Sequence, residues 1–310
     1  MTGQDAEAEH GRALASRQDV ALAIWLGLLL PLSWLVPQRL WTPICSAISR
    51  AVVRLNRRAS EARVENARHI FGDCDDVPTP REIVVRSSAG RVERQLQYLR
   101  ELRPGGWNAH IELTGGEHID WALAQEAGCI IWVGPTLAGY LVTKKGLYGA
   151  GYRVTHLSRM DHGGSESLLG RQLNTIRVRP EARYLAERVV MGDGDELRRT
   201  RDLYDRLRAN ALVSITAVNR FGARMVTSSF LGGEWRLPTG AASLSLATGA
   251  TLLPTIAVRH SYDHFEVIVE PPLTADPSSD RHAAVDELVH RYVKRMEPYA
   301  AVHPEQYDER

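Results

Sequence analysis

The chain has 310 residues, 44% of them apolar and 24% charged, with a formal net charge of +1. This composition excludes disorder, collagen-like repeats and disulfide-rich mini-scaffolds as overall classes, and the charge is too small to argue for binding DNA. Lys occurs only at Lys144, Lys145 and Lys294, a bias toward Arg that reads as genome composition rather than a binding patch. Cys45, Cys74 and Cys129 have no CxxC spacing and cannot all pair. Neither a zinc cluster nor a disulfide framework follows, and the chain is expected to face a reducing cytoplasm. Cys129 sits in an apolar run and reads as a small core residue.

Residues 1–18 are polar and Ala-rich and read as a frayed tail. From Val20 to Val36 the sequence is free of charge, with Arg12 and Arg17 before it and Arg39 after it. As a helix it would reach about 26 Å, a little less than the hydrocarbon layer, and Pro31 would kink it. No small-residue cleavage site follows Val36, so the segment is expected to be retained as a membrane-engaging helix, either spanning thinly or buried in one leaflet. Trp25, Trp34 and Trp41 suit the headgroup level. This places the chain on the cytoplasmic face of the cell membrane; a core hairpin of a soluble protein is the alternative.

Leu40–Asn56 and Ser60–Ile70 carry apolar residues at helical spacing among arginines and read as amphipathic helices. Their Arg54, Arg57, Arg58 and Arg63 meet either anionic headgroups or plain solvent. Glu82–Leu102 is a further helix, ended by Pro104-Gly105-Gly106. Residues 19–106 thus form a helical region ahead of an α/β core at 107–310, the two belonging to one structural unit.

Past residue 107 short β-branched runs alternate with helices. Strands are predicted at 129–133, 153–157, 175–178, 212–216, 252–258 and 265–269. Glu196–Asn210 places Leu197, Thr200, Leu203, Tyr204 and Leu207 along one helix face, and Ser279 can cap a helix carrying Val285, Leu288, Val289, Tyr292 and Met296. The fold class is α/β, with a mostly parallel central sheet flanked by helices and an N-terminal hydrophobic helix.

At 111–134 the run Ile-Glu-Leu-Thr-Gly-Gly-Glu-His through Cys-Ile-Ile-Trp-Val-Gly, and at 237–255 the run Leu-Pro-Thr-Gly-Ala-Ala-Ser-Leu-Ser-Leu-Ala-Thr-Gly-Ala-Thr-Leu-Leu-Pro-Thr, carry a resemblance. Together with Arg159 after the second buried strand and Phe-Leu-Gly-Gly at 230–233, they resemble the lysophospholipid acyltransferase superfamily. The branch is that of the lipid A lauroyl and mannoside acyltransferases, and the resemblance runs from about Val20 to Leu273. It implies a membrane-engaging helix, a hydrophobic tunnel for an acyl chain, and an acyl donor as partner: acyl carrier protein, acyl-CoA or an aminoacyl-tRNA. A membrane lipid is the second partner implied. No cofactor is expected.

In that family the strand ends in His, four residues, then Asp or Glu, and the imidazole deprotonates an acceptor hydroxyl. Laid on that pattern, this sequence has Pro135 at the His and Tyr140 at the acid, and Asn219 at a later acid or Gln position. None of the three is a general base at neutral pH. His162, with Glu166 four residues on, is the nearest His-plus-acid pair in sequence and a candidate substitute, although the stretch reads first as a polar loop. His156 reads as a core His and His118 as a helix-start contact. His260 and His264 flank the turn Ser261-Tyr262-Asp263 with no recognisable ligand spacing, so no metal is expected. Thr136 is a nucleophile, an oxyanion donor or a helix N-cap ahead of Leu137; Tyr140 is a pocket hydrogen-bond donor or packing aromatic. The catalytic candidates are therefore Arg159, Tyr140, Thr136 and His162, and the substrate-binding candidates Asn219, Arg220, Pro238, Thr239 and Gly240. Two functions follow: an acyl-group transferase with a non-standard site whose acceptor is an amine or hydroxylamine, including aminoacyl transfer from tRNA, or a non-catalytic lipid-binding scaffold.

Overall fold

A computed structural model describes residues 14–72, 78–159, 167–191, 196–217 and 224–307. Cys74, His162, Glu166, Asn219 and Arg220 lie outside the described residues.

Four helices precede the sheet: α1 (Arg17–Leu35), α2 (Trp41–Leu55), α3 (Arg57–Phe71) and α4 (Pro80–Glu101). α1 opens with a capping box. The Ser16 hydroxyl accepts from the Asp19 amide and the Asp19 carboxylate accepts from the Ser16 amide. Asp19 is buried because it also accepts from the Ser167 hydroxyl, 2.7 Å away, at the start of a later helix. α1 is continuous through Pro31 and apolar all round. Leu26, Leu29 and Ser33 form a buried stripe against α4, where the Ser33 hydroxyl donates to Leu96 O at 2.9 Å. The opposite stripe, Val20, Ile24, Leu28 and Leu35, is exposed. The tryptophans are held by the protein: Trp25 Nε1 donates to Gln95 and Trp34 Nε1 to Leu99 O, and Trp41 is 1% exposed beneath the Arg100 guanidinium. Trp25 and Trp34 thus satisfy their indole N–H groups on α4, whereas the buried Trp41 N–H finds no hydrogen-bond partner among the described residues.

The core holds β1 (His110–Thr114), α5 (Gly116–Ala124), β2 (Cys129–Val133), α6 (Leu141–Gly149), β3 (Val154–Arg159), α7 (Leu168–Ala182), β4 (Glu187–Met191), α8 (Glu196–Arg208) and β5 (Leu212–Thr216). A hairpin, β6 (Met225–Phe230) and β7 (Gly233–Pro238), leads to α9 (Gly240–Thr248), β8 (Thr251–Arg259), β9 (His264–Val269) and α10 (Arg281–Val302). Seven strands form one sheet in the order β1-β9-β8-β2-β5-β3-β4, parallel except between β8 and β9. The continuous burial of β2 has a simple basis: Ile130 and Trp132 enter the core under α8, α9 and α10, while Cys129, Ile131 and Val133 enter the core under α5 and α6.

The strand predicted at 175–178 is instead the middle of α7. Its β-branched residues are outweighed by packing of Leu169, Leu173 and Ile176 at helical spacing against the α1–α4 cluster. β1, β4 and the β6–β7 hairpin were not anticipated. On α8, Leu203 and Leu207 are buried but Leu197 is exposed. Asp280 rather than Ser279 caps α10, accepting from the His282 and Ala283 amides; the predicted stripe on that helix is buried throughout.

Candidate functional site at the carboxyl end of the sheet

In a parallel sheet the strand ends leave a crevice where ligands bind. Here β2 ends in Gly134–Tyr140, a tight loop before α6. The Gly134 amide donates to Thr255 O at 2.7 Å, and the Thr136 hydroxyl donates to Ala257 O at 2.8 Å. Thr136 is 5% exposed, with its proton committed to a backbone carbonyl. It is not the expected helix cap either, since α6 begins only at Leu141 and Tyr140 is its N-cap residue. The backbone amides of Thr136 and Leu137 are occupied too, by Gly134 O and Gln306 O. Gln306 locks the same edge by exchanging side-chain hydrogen bonds with the backbone of Arg259.

A cleft of about 280 Å³ opens beside this loop, between α2, α4 and the β8–β9 turn. Gly90, Leu137, Ala138 and Phe265 give it an apolar wall, and Arg86, Arg94 and Arg259 give it cations. The Arg94 guanidinium lies 5.0 Å from the Tyr140 ring centre, which ties Tyr140 to the cleft. Glu93, with a side chain 3% exposed, meets Arg259 Nη1 at 2.7 Å. Arg259 also donates to Thr42 and to Ser261 O. Burial pushes the Glu93 carboxyl up, and the Arg259 charge and hydrogen bond pull it only part of the way back. Sequence reading missed this pair. Its signals were a carboxylate at a core position of α4, amid Ala89 and Leu96, and an Arg closing a buried, largely apolar strand.

One turn below Tyr140, Lys144 Nζ donates to Glu181 at 2.5 Å; Glu181 also accepts from Arg188 at 2.7 Å and from the Tyr98 hydroxyl. Lys144 and Glu181 are both buried. Burial alone would raise the Glu181 carboxyl, but Lys144, Tyr98 and Arg188 hold it below its ordinary value, while burial lowers Lys144.

Arg159 ends β3, separated from β2 by β5, and only its backbone is described. Pro238 ends the hairpin opposite Met225, and the Thr239 amide and hydroxyl both donate to Arg224 O. Pro238, Thr239 and Gly240 do not line the cleft, so the geometry brings together Tyr140, the loop after β2, and the unpredicted Glu93, Arg94 and Arg259. His156 is buried in the sheet with Nδ1 3.3 Å from the Ser214 hydroxyl.

The chain thus has an α/β sheet covered by helices and preceded by one helix long and apolar enough, by length and composition, to cross a membrane. Residues 11–308 match the bacterial lipid A biosynthesis acyltransferase family, and the chain belongs to it. Membership brings an acyl donor and a lipid acceptor at the level of the family. No curated protein matches the chain.

Proposed function

We propose that this chain is an acyl-group transferase whose acceptor is an amine or hydroxylamine rather than an alcohol. The observation that carries the reading is the loop Gly134–Tyr140, which puts neither an imidazole nor a carboxylate at the carboxyl end of β2. An alcohol must lose its proton during attack, and a positioned base contributes roughly 10²- to 10⁴-fold to that step. A neutral amine or hydroxylamine presents a lone pair already and needs mainly orientation. Its nitrogen forms the C–N bond, the donor's C–S or C–O bond breaks, and the proton passes through solvent to the departing atom. Arg94, Arg259 and the Tyr140 hydroxyl would hold the developing oxyanion.

The size of the cleft supports a short acyl or aminoacyl donor, since drug-sized sites occupy roughly 300–1,000 Å³ and this one, at about 280 Å³, falls at the lower limit. Its cations suit the phosphates of a carrier arm or a tRNA terminus. The exposed stripe Val20–Leu35 of α1, with its other face occupied by α4, supports a helix lying in one leaflet rather than crossing it.

The purified full chain is to be assayed with acyl-thioester and aminoacyl-ester donors against matched amine, hydroxylamine and alcohol acceptors. Nitrogen nucleophiles should turn over at least about 10²-fold faster than the alcohol, and Ala138→Phe, which fills the cleft, should abolish the reaction. Equal turnover of the alcohol, or no turnover of any acceptor, overturns the proposal.

A further inference from the structure

His110, Glu112 and Thr114 alternate on one exposed face of β1, and parallel pairing sets His264 beside His110 and Glu266 beside Glu112. Two carboxylates side by side on neighbouring strands repel, so this face needs positive charge between them. Among the described residues, the ion pairs of both carboxylates are made with imidazoles alone. His110 Nε2 lies 2.8 Å and His264 Nε2 3.2 Å from the same atom, Glu112 Oε1. His260, at the end of β8, reaches Glu266 at 2.9 Å. His264 Nε2 is shut off from solvent and has no aligned hydrogen-bond partner. One nitrogen each from His110 and His264 and one oxygen from Glu112 lie within 4.8 Å of one another.

We propose that His110, Glu112 and His264 form a binding site for a divalent transition-metal ion of the zinc type, built across the β1–β9 pair. Ligands about 2.1 Å from a tetrahedral ion stand roughly 3.4 Å apart, so the imidazole nitrogens, now 2.8 and 3.2 Å from Glu112 Oε1, need to open from it by about 0.6 and 0.2 Å. Two imidazoles and one carboxylate suit zinc, nickel or copper and are a poor match for calcium or magnesium, which demand oxygen. Three protein ligands leave a position for water. Glu266 stands beside the site, held by the Thr114 hydroxyl at 2.6 Å and by His260, and neutralises part of the ion's charge. The sequence spacing of His260 and His264 holds no ligand pattern because the missing ligands come from β1, far away in the chain but adjacent in register. His264 directly follows the turn whose His260, Ser261 and Tyr262 line the cleft, so the ion would fasten β1 beside that cleft wall.

The full chain, stripped with a chelator, is to be titrated calorimetrically with zinc chloride and calcium chloride, and with cobalt(II) followed by its visible absorption. One zinc per chain should bind, calcium should not, and cobalt should give the intense bands of a four-coordinate site. His110→Ala, His264→Ala and Glu112→Gln should each weaken zinc by about 10- to 100-fold, while His282→Ala, an exposed His elsewhere, leaves it unchanged. Unaltered circular dichroism melts show that each variant is folded. Absence of saturable zinc binding, or binding equally strong in the His110→Ala/His264→Ala double variant, refutes the site.

Discussion

Replacing Arg259 by Met removes the cation from the cleft and leaves the Glu93 carboxylate buried without its ion partner. At 2.7 Å and an effective dielectric of about 20, the attraction is on the order of 6 kcal/mol before desolvation is counted. Breaking a buried pair by deleting one partner costs about 3–5 kcal/mol. The Arg259 side chain is 20% exposed, so the lower end, about 3 kcal/mol, is expected near pH 8. The loss depends on pH in a fixed direction. Burial raises the folded pKa of Glu93 above its ordinary 4.5, so the stability this group contributes is fully present below the unfolded value and is lost as pH rises through the folded one. Without Arg259 the folded value climbs further, and the variant should recover part of its deficit at about pH 5 by protonating Glu93. Cys45 and Thr42 face the same carboxylate, but the Cys45 thiol, pushed up to about 12 by burial, stays neutral across that range. Urea unfolding of the full chain in detergent, at both pH values, measures the loss. The double variant Arg259→Met/Glu93→Gln should regain most of it, separating the ion pair from the bond between Arg259 and Ser261 O. A loss under about 1 kcal/mol that is the same at both pH values would refute the reasoning.

Glu181→Gln should destabilise by about 3–5 kcal/mol by stranding Lys144, which is fully buried. The folded pKa of Lys144 is already lowered, so the deficit should shrink as pH rises through it and the amine becomes neutral; thermal melts between neutral and alkaline pH read this, and a flat profile counts against it. Thr136→Val should cost only about 1 kcal/mol in unfolding experiments and leave acyl transfer measurable, because the hydroxyl serves Ala257 O; complete loss of turnover in a folded protein would make Thr136 a nucleophile after all. Ile24→Ser/Leu28→Ser/Leu35→Ser, all on the exposed stripe of α1, should reduce sedimentation with anionic vesicles at least tenfold while the melting temperature stays within a few degrees; unchanged sedimentation would remove the stripe as the membrane face.

β2 was legible because a strand buried on both faces needs an unbroken apolar run, and 129–133 is one that ends at a glycine and a proline. Thr-Ile-Arg-Val at 175–178 misled for the complementary reason: a short β-branched run fits a strand or a helix until its partners are known, and here Leu169, Leu173 and Ile176 find theirs at helical spacing. The same limit hid the charged residues of the cleft. Arg259 and Glu93 are each anomalous locally, a cation closing an apolar strand and an acid on a buried helix face, yet neither anomaly names the other. α1 shows how far composition reaches before partners are needed. Its sequence is apolar on every side, which a periodicity test cannot divide into faces. The division is made by α4, whose Gln95, Leu96 and Leu99 receive the Trp25, Ser33 and Trp34 donors, while Arg100 donates to Ser33 O and Val36 O. Once that side is occupied by protein, the remaining apolar stripe is left exposed among the described residues, and lipid is the environment in which leaving it so costs least.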